Sequence, residues 1–121
     1  MSESGAHKTF EICECRYTRG IPTQDIRTVL ALASLSAEIR FGSAIQERDG
    51  LFRLDEKERL LEIDASTAFG KTMAHFFRVL MAEMYIDQEY ITLCRSITSG
   101  ERTAIKRLKV CRGRLKRRRL P

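Results

Sequence analysis

The side chains with the widest chemical range in this 121-residue sequence are four cysteines and two histidines. Cys13 and Cys15 stand two apart, Cys94 and Cys111 are isolated, and His7 and His75 lie in unrelated contexts. Zinc sites need pairs such as C-x-x-C joined by a second pair or by spaced histidines, and no C-x-x-C occurs. A metal site is therefore not expected, and the thiols read as ordinary reduced cysteines of a cytoplasmic protein. Gly70-Lys71-Thr72 has the ending of a phosphate-cradling G-x-x-x-x-G-K-[ST] loop, but the position that must supply its first glycine is Ala65. H-E-x-x-H and G-x-S-x-G are absent, and the carboxylates are scattered. Neither an independent catalytic activity nor a bound cofactor is expected.

The charges are more informative. The chain carries 22 basic and 16 acidic side chains, a net +6, yet every acid lies at or before Glu101. Nine of the bases fall between Lys106 and Arg119, so the body before them is mildly acidic and the basic character belongs to the tail. Arg112, Arg114, Lys116, Arg117, Arg118 and Arg119 form a cationic block that could neutralise several phosphates and release their counterions. The block has no interleaved aromatic residue to stack on bases. Nucleic acid or another polyanion is one expected partner of this tail. The alternatives are a solvated tail, one that folds against the acidic body of its own or a second copy, and one that contacts anionic lipid.

The remaining composition narrows the class. Hydrophobic residues make up 43% and charged residues 31%, with only two prolines and seven glycines, a globular rather than a disordered balance. A chain of this length makes one domain with a core of its own. No apolar run approaches the ~20 residues that cross a bilayer, and MSESGAHKTF lacks the layout of a signal peptide. A cytoplasmic protein without a membrane span is expected.

Periodicity then supplies the elements. Residues 1–7 are small and polar and read as a flexible N-terminus. Thr9 to Cys15 alternates as a strand, and Tyr17 to Gln24 holds the Gly and Pro of a loop. Asp25 is placed to cap a helix to about Ser36, with Ile26, Val29, Leu30 and Ala33 on its buried face. Ala37 to Phe41 alternates again and predicts a second strand. Asp49-Gly50 signals a turn, and Arg59 to Ile63 a strand. Asp64 or Ser66 is expected to cap a helix over 67–84, whose stripe is Phe69, Met73, Phe76, Phe77, Leu80 and Met84. Tyr90 to Ile97 predicts a strand, and Thr98 to Glu101 a capping box for a last helix through Ala104, Ile105, Leu108 and Cys111. These pieces predict an α+β fold, an open-faced two-layer sandwich with its helices on one side of one sheet.

The order of the pieces resembles the HPr family, the small phosphocarriers of the bacterial phosphotransferase system, whose fold is β-α-β-β-α-β-α. The similarity covers most of residues 8–110. It rests on Lys8 to Ile12, on Gly20-Ile21-Pro22-Thr23, on Ala33-Ser34 with Glu38-Ile39, and on Ile63-Asp64-Ala65-Ser66. Tyr90 to Leu93, Gly100, Ala104 and Leu108 complete it. Residues 8–111 would then be the HPr-like domain and 112–121 a basic C-terminal tail, with an insertion over 42–59 between the second strand and the second helix.

What the resemblance implies for function lies in its departures. The family carries phosphate on a histidine at a helix N-terminus, where free N–H groups favour an anion. The matching position here is Pro22, which has no nucleophile, and Gln24 and Asp25 stand where the family has Arg and Pro. A phosphohistidine is not expected. Ser66 matches the family's regulatory serine and is a candidate phosphorylation site as well as a helix cap. The resemblance thus implies a regulatory or adaptor role in bacterial phosphotransfer or carbon signalling. It acts by binding a protein partner through Gly20, Thr23, Gln24, Ser66, Phe69 and Met73. The sequence leaves the oligomeric state open.

Overall fold

Alternation along the first strand sends Cys13, Cys15 and Tyr17 to one face of the sheet and Phe10, Ile12, Glu14 and Arg16 to the other. The computed structural model describes residues 9–86 and 89–98. In chain order these form β1 (Thr9–Tyr17), α1 (Thr23–Phe41), α2 (Ser43–Asp49), β2 (Phe52–Asp55), β3 (Leu60–Asp64), α3 (Ala68–Met84) and β4 (Tyr90–Thr98). The strands make one sheet in the order β2-β3-β1-β4, with every neighbouring pair antiparallel. β1 and β2 therefore run parallel with β3 between them, and β3 and β4 run parallel with β1 between them. Two β-α-β crossovers are interleaved in the split β-α-β manner.

The α+β two-layer architecture expected from periodicity is the one observed. α1 and α3 lie together against the face that carries Cys13, Cys15, Tyr17, Phe52, Leu61 and Ile63. They bury Ile26, Val29, Leu30, Ala33 and Ala37 from α1 with Phe69, Met73, Phe77 and Met81 from α3. Cys13 and Cys15 are both buried on that face, as strand alternation requires.

The expected second strand over Ala37 to Phe41 is instead the end of α1. The two periods coincide there. Ala37 continues the buried stripe of Ile26, Val29, Leu30 and Ala33, and Phe41 carries it on to Phe69, whose ring lies 5.7 Å away. A strand would have buried Ile39 with them, whereas Ile39 is 88% exposed. The segment likened to the second HPr strand is thus helical, and β2 and β3 both come from residues beyond it. Gly42 ends α1 at φ 93°, a left-handed conformation in which glycine carries no steric penalty.

Residues 42–59 hold α2, β2 and the turn into β3. α2 is tied to α1 by a buried hydrogen bond from Gln46 Nε2 to Ser34 Oγ of 2.9 Å. The charged stretch after β2 is the expected turn, with Glu56, Lys57 and Glu58 exposed. The expected last helix, Cys111 and the tail lie outside the described residues.

Candidate functional site

The loop Gly20 to Asp25 joins β1 to α1, and its groups are knitted into one end of the sandwich. Pro22 is the N-cap residue of α1 and offers no side-chain cap, so Asp25 sits inside the first turn instead of capping it. Asp25 Oδ2 accepts a 2.6 Å hydrogen bond from the Tyr85 hydroxyl at the end of α3. Burial, reinforced by that bond, pushes the Tyr85 phenol up to about 12. The Thr23 and Tyr17 hydroxyls share a 3.0 Å hydrogen bond. Thr18 donates to Glu89 Oε1 at 2.8 Å, and that carboxylate fills the space a β-carbon on Gly20 would need. Arg59 lies 4.8 Å over the Tyr17 ring and donates to the carbonyls of Thr18 and Ile21, which fastens the loop to the start of β3. The exposed residues left on this loop are Gly20, Pro22 and Gln24.

Ser66 lies at the other end of the sheet. Its hydroxyl accepts the Glu11 N–H at 3.0 Å, and its own N–H donates to Asp64 Oδ1. The cap of α3 is Thr67, whose hydroxyl accepts the Gly70 N–H at 3.0 Å, and not Asp64 or Ser66. Ser66 therefore pins the start of β1 to the end of β3. From Glu11 to Tyr17 the strand advances roughly 20 Å, at about 3.3 Å per residue. The loop and the serine, expected to serve one partner surface, do not meet.

Phe69 and Met73 are core residues, fully covered between α3 and the sheet, and cannot touch a partner in this structure. The exposed face of α3 at these turns carries Lys71, His75 and Val79. The hydrophobic stripe was read correctly as a helix face, but it is the inward one. The candidate tail residues Arg112, Arg114, Lys116, Arg117, Arg118 and Arg119 lie outside the described residues.

On the face of the sheet away from the helices, two carboxylates are buried at mid-sheet, Glu14 and Glu62, each 6% exposed. Arg95 bridges them, with Nε 2.9 Å from Glu14 and a terminal nitrogen 2.7 Å from Glu62, while Arg53 reaches Glu62 from β2 at 3.2 Å. Carboxylates so paired balance the charge of the two arginines. No cluster of three or more His, Cys, Asp or Glu among the described residues is placed to hold a metal ion.

The two edges of the sheet differ sharply. β2 is four residues long and carries Arg53 and Asp55. β4 is nine residues long and pairs with β1 without a bulge from Thr9↔Thr98 to Tyr17↔Tyr90. The Thr18 N–H donates to the Glu89 carbonyl, and the same alternation turns Ile91, Leu93, Arg95 and Ile97 toward β1 for backbone bonding. The N–H and C=O groups of Tyr90, Thr92, Cys94 and Ser96 then point outward, away from β1. Natural edges are blunted by shortness, Pro, Lys or bulges. β4, YITLCRSIT, has none of these, and its single charge, Arg95, is held by the two glutamates. Beside this edge Ile91 is 62% and Leu93 46% exposed. Sequence reasoning read β4 as a strand but had no means of placing it at an edge.

β4 also brings Cys94 to Cys13, directly opposite it in register. No protein-family model, no curated protein and no solved structure matches the chain. No helix among the described residues is long and apolar enough to cross a membrane.

Proposed function

We propose that this domain is a regulatory or adaptor module that binds another protein, which adds an extended segment to the outer edge of β4. The observation that carries the reading is the nine-residue outer edge of β4, with which no other strand pairs among the described residues, flanked by exposed Ile91 and Leu93. Strand addition draws affinity from the outward backbone groups of Thr92, Cys94 and Ser96. Specificity would come from alternate side chains resting beside Ile91 and Leu93. The resemblance to HPr suggests bacterial phosphotransfer or carbon signalling as the setting. In that setting Pro22 leaves the chain the family's regulatory behaviour without its phosphohistidine. A partner on the β4 edge needs no contact with Phe69 or Met73, which are buried.

The test is a photo-crosslinking residue at position 93, compared with one at Ile39, which is exposed on α1. A different protein captured from position 93 and not from position 39 is the expected result. Capture of the same proteins from both positions, or of second copies of the chain alone, overturns the reading.

A second reading rests on the nine bases within the last sixteen residues. Here the sandwich is a scaffold and the tail binds a polyanion. Truncation after Cys111 separates the two, because it removes salt-sensitive binding to nucleic acid and leaves capture at position 93 unchanged.

A further inference from the structure

We infer that Cys13 and Cys94 form a peroxide-reactive dithiol that closes into a cross-strand disulfide. The two residues are 81 positions apart in the chain yet face each other across β1 and β4. Their register position decides whether they can be joined. The Tyr17 N–H donates to Arg59 and the Glu11 carbonyl accepts from Ala65, so odd-numbered residues of β1 bond toward β3. Even-numbered ones bond toward β4, as Thr18 does with Glu89. Cys13 and Cys94 are therefore a non-hydrogen-bonded pair, the kind in which side chains approach most closely, with α-carbons about 4.5 Å apart. That spacing lies within the range a disulfide spans, roughly 4.4–6.8 Å. Cys15 has no such option. It points the same way as Cys13 but two residues along the same strand, and Thr92 stands opposite it.

A third residue marks the pair as more than two packed thiols. Arg78 of α3 places one guanidinium nitrogen 3.6 Å from Cys94 Sγ and 3.8 Å from Cys13 Sγ. Among the described residues these two sulfurs are its only polar contacts. A guanidinium there stabilises negative charge as it develops on sulfur. The two cysteines also differ in access, Cys94 being exposed and Cys13 buried. Burial, followed by the neighbouring Cys94, pushes the Cys13 thiol up.

The roles follow from access. The oxidant is hydrogen peroxide. The Cys94 sulfur attacks one peroxide oxygen, the O–O bond breaks, and the departing hydroxide takes the thiol proton as water, leaving a sulfenic acid. The Cys13 sulfur then attacks the Cys94 sulfur, the S–O bond breaks, and the hydroxyl leaves as water with the Cys13 proton. Two thiols lose two electrons and one peroxide becomes two waters. The bond formed locks β4 to β1 at mid-strand.

The experiment uses the full reduced chain, treated with stoichiometric hydrogen peroxide, alkylated with iodoacetamide and mapped by peptide mass spectrometry. The expected product is lighter by two hydrogen atoms and yields a Cys13–Cys94 linked peptide, with Cys15 and Cys111 still alkylated. Dithiothreitol should restore both thiols. In Cys13→Ser the Cys94 sulfenic acid should accumulate and be trapped by dimedone, Cys94→Ser should show no loss of hydrogen, and Arg78→Leu should slow closure several-fold. Cys94 driven to sulfinic acid without a link, or linked instead to Cys111 or to a second chain, overturns the inference.

Discussion

Ser66 and Thr23 anchor opposite ends of the same strand. Ser66 holds the N–H of Glu11, Thr23 holds the hydroxyl of Tyr17, and the length of β1 separates them. A modification at one end therefore has no direct route to a partner at the other. Ser66→Ala should cost about 1 kcal/mol in urea unfolding, the worth of one hydrogen bond to the backbone. A phosphate on Ser66 should shift the amide resonances of Glu11, Ala65 and Lys71 and leave those of Thr23 and Gln24 in place. Equal shifts at both ends would mean the two poles communicate through the sheet.

The start of α3 depends on a residue without a side chain. A β-carbon on Gly70 would overlap the carbonyl of Asp64 and press on the Thr67 cap, so the helix could not settle against the end of β3. Backbone cannot yield as a flexible side chain does. Gly70→Ala should destabilise the fold by about 2–3 kcal/mol, despite alanine's better helix propensity. The measurement is the urea midpoint at unchanged m-value.

Stability should fall in alkali, and the sign follows from Cys15. Its burial pushes the native thiol up to about 12, against 9.0 for the ordinary group. Below pH 9 both folded and unfolded chains hold the proton and the term is absent. Between about pH 9 and 12 the unfolded chain releases it first and binds fewer protons than the native one, so unfolding becomes easier as pH rises. Cys15→Ala should lower stability at pH 7 through lost packing and flatten the decline above pH 9. Thermal midpoints from pH 7 to 11 check both points, and an unchanged slope would remove Cys15 as the cause.

Two proline substitutions separate the outer side of β4 from the side paired with β1. The Thr92 N–H points away from β1, whereas that of Leu93 lies in the ladder. Proline is tolerated on an edge strand where its missing N–H faces outward. Thr92→Pro should therefore change stability by less than about 1 kcal/mol, while Leu93→Pro should lose about 3 kcal/mol through its broken ladder bond and ring clash. Chemical denaturation of both variants decides it, and equal losses would contradict the assigned register.

Parts of this arrangement were legible in the residues because one period dominated locally. The helical stripe begun by Phe69, Met73 and Phe77 and the alternation around Cys13 and Cys15 each admit a single reading, although the stripe runs on to buried Met81 and leaves Met84, expected on it, 51% exposed. Ala37 to Phe41 failed because Ala37, Ile39 and Phe41 fit a strand, while Ala33, Ala37 and Phe41 fit a helix. The packing of Phe41 on Phe69 decides between them. Asp64, Ser66 and Thr67 are equally good capping types, and only backbone position makes Thr67 the cap. The candidate site was least legible of all. Which strand lies at an edge, and that Cys94 faces Cys13, are properties of strand order and register, which depend on contacts between residues far apart in the chain.

If a partner adds a strand to β4, the outward amides of that strand are open in the isolated chain and filled in the complex. Hydrogen exchange at single-residue resolution tests it, first on the full chain alone and then with the protein captured from position 93. The amides of Thr92, Cys94 and Ser96 should exchange quickly in the isolated chain, with those of Leu93 and Arg95 slow between them, and all five should be slow in the complex. Outward amides already protected in the isolated chain, or unchanged when the partner is added, would contradict it.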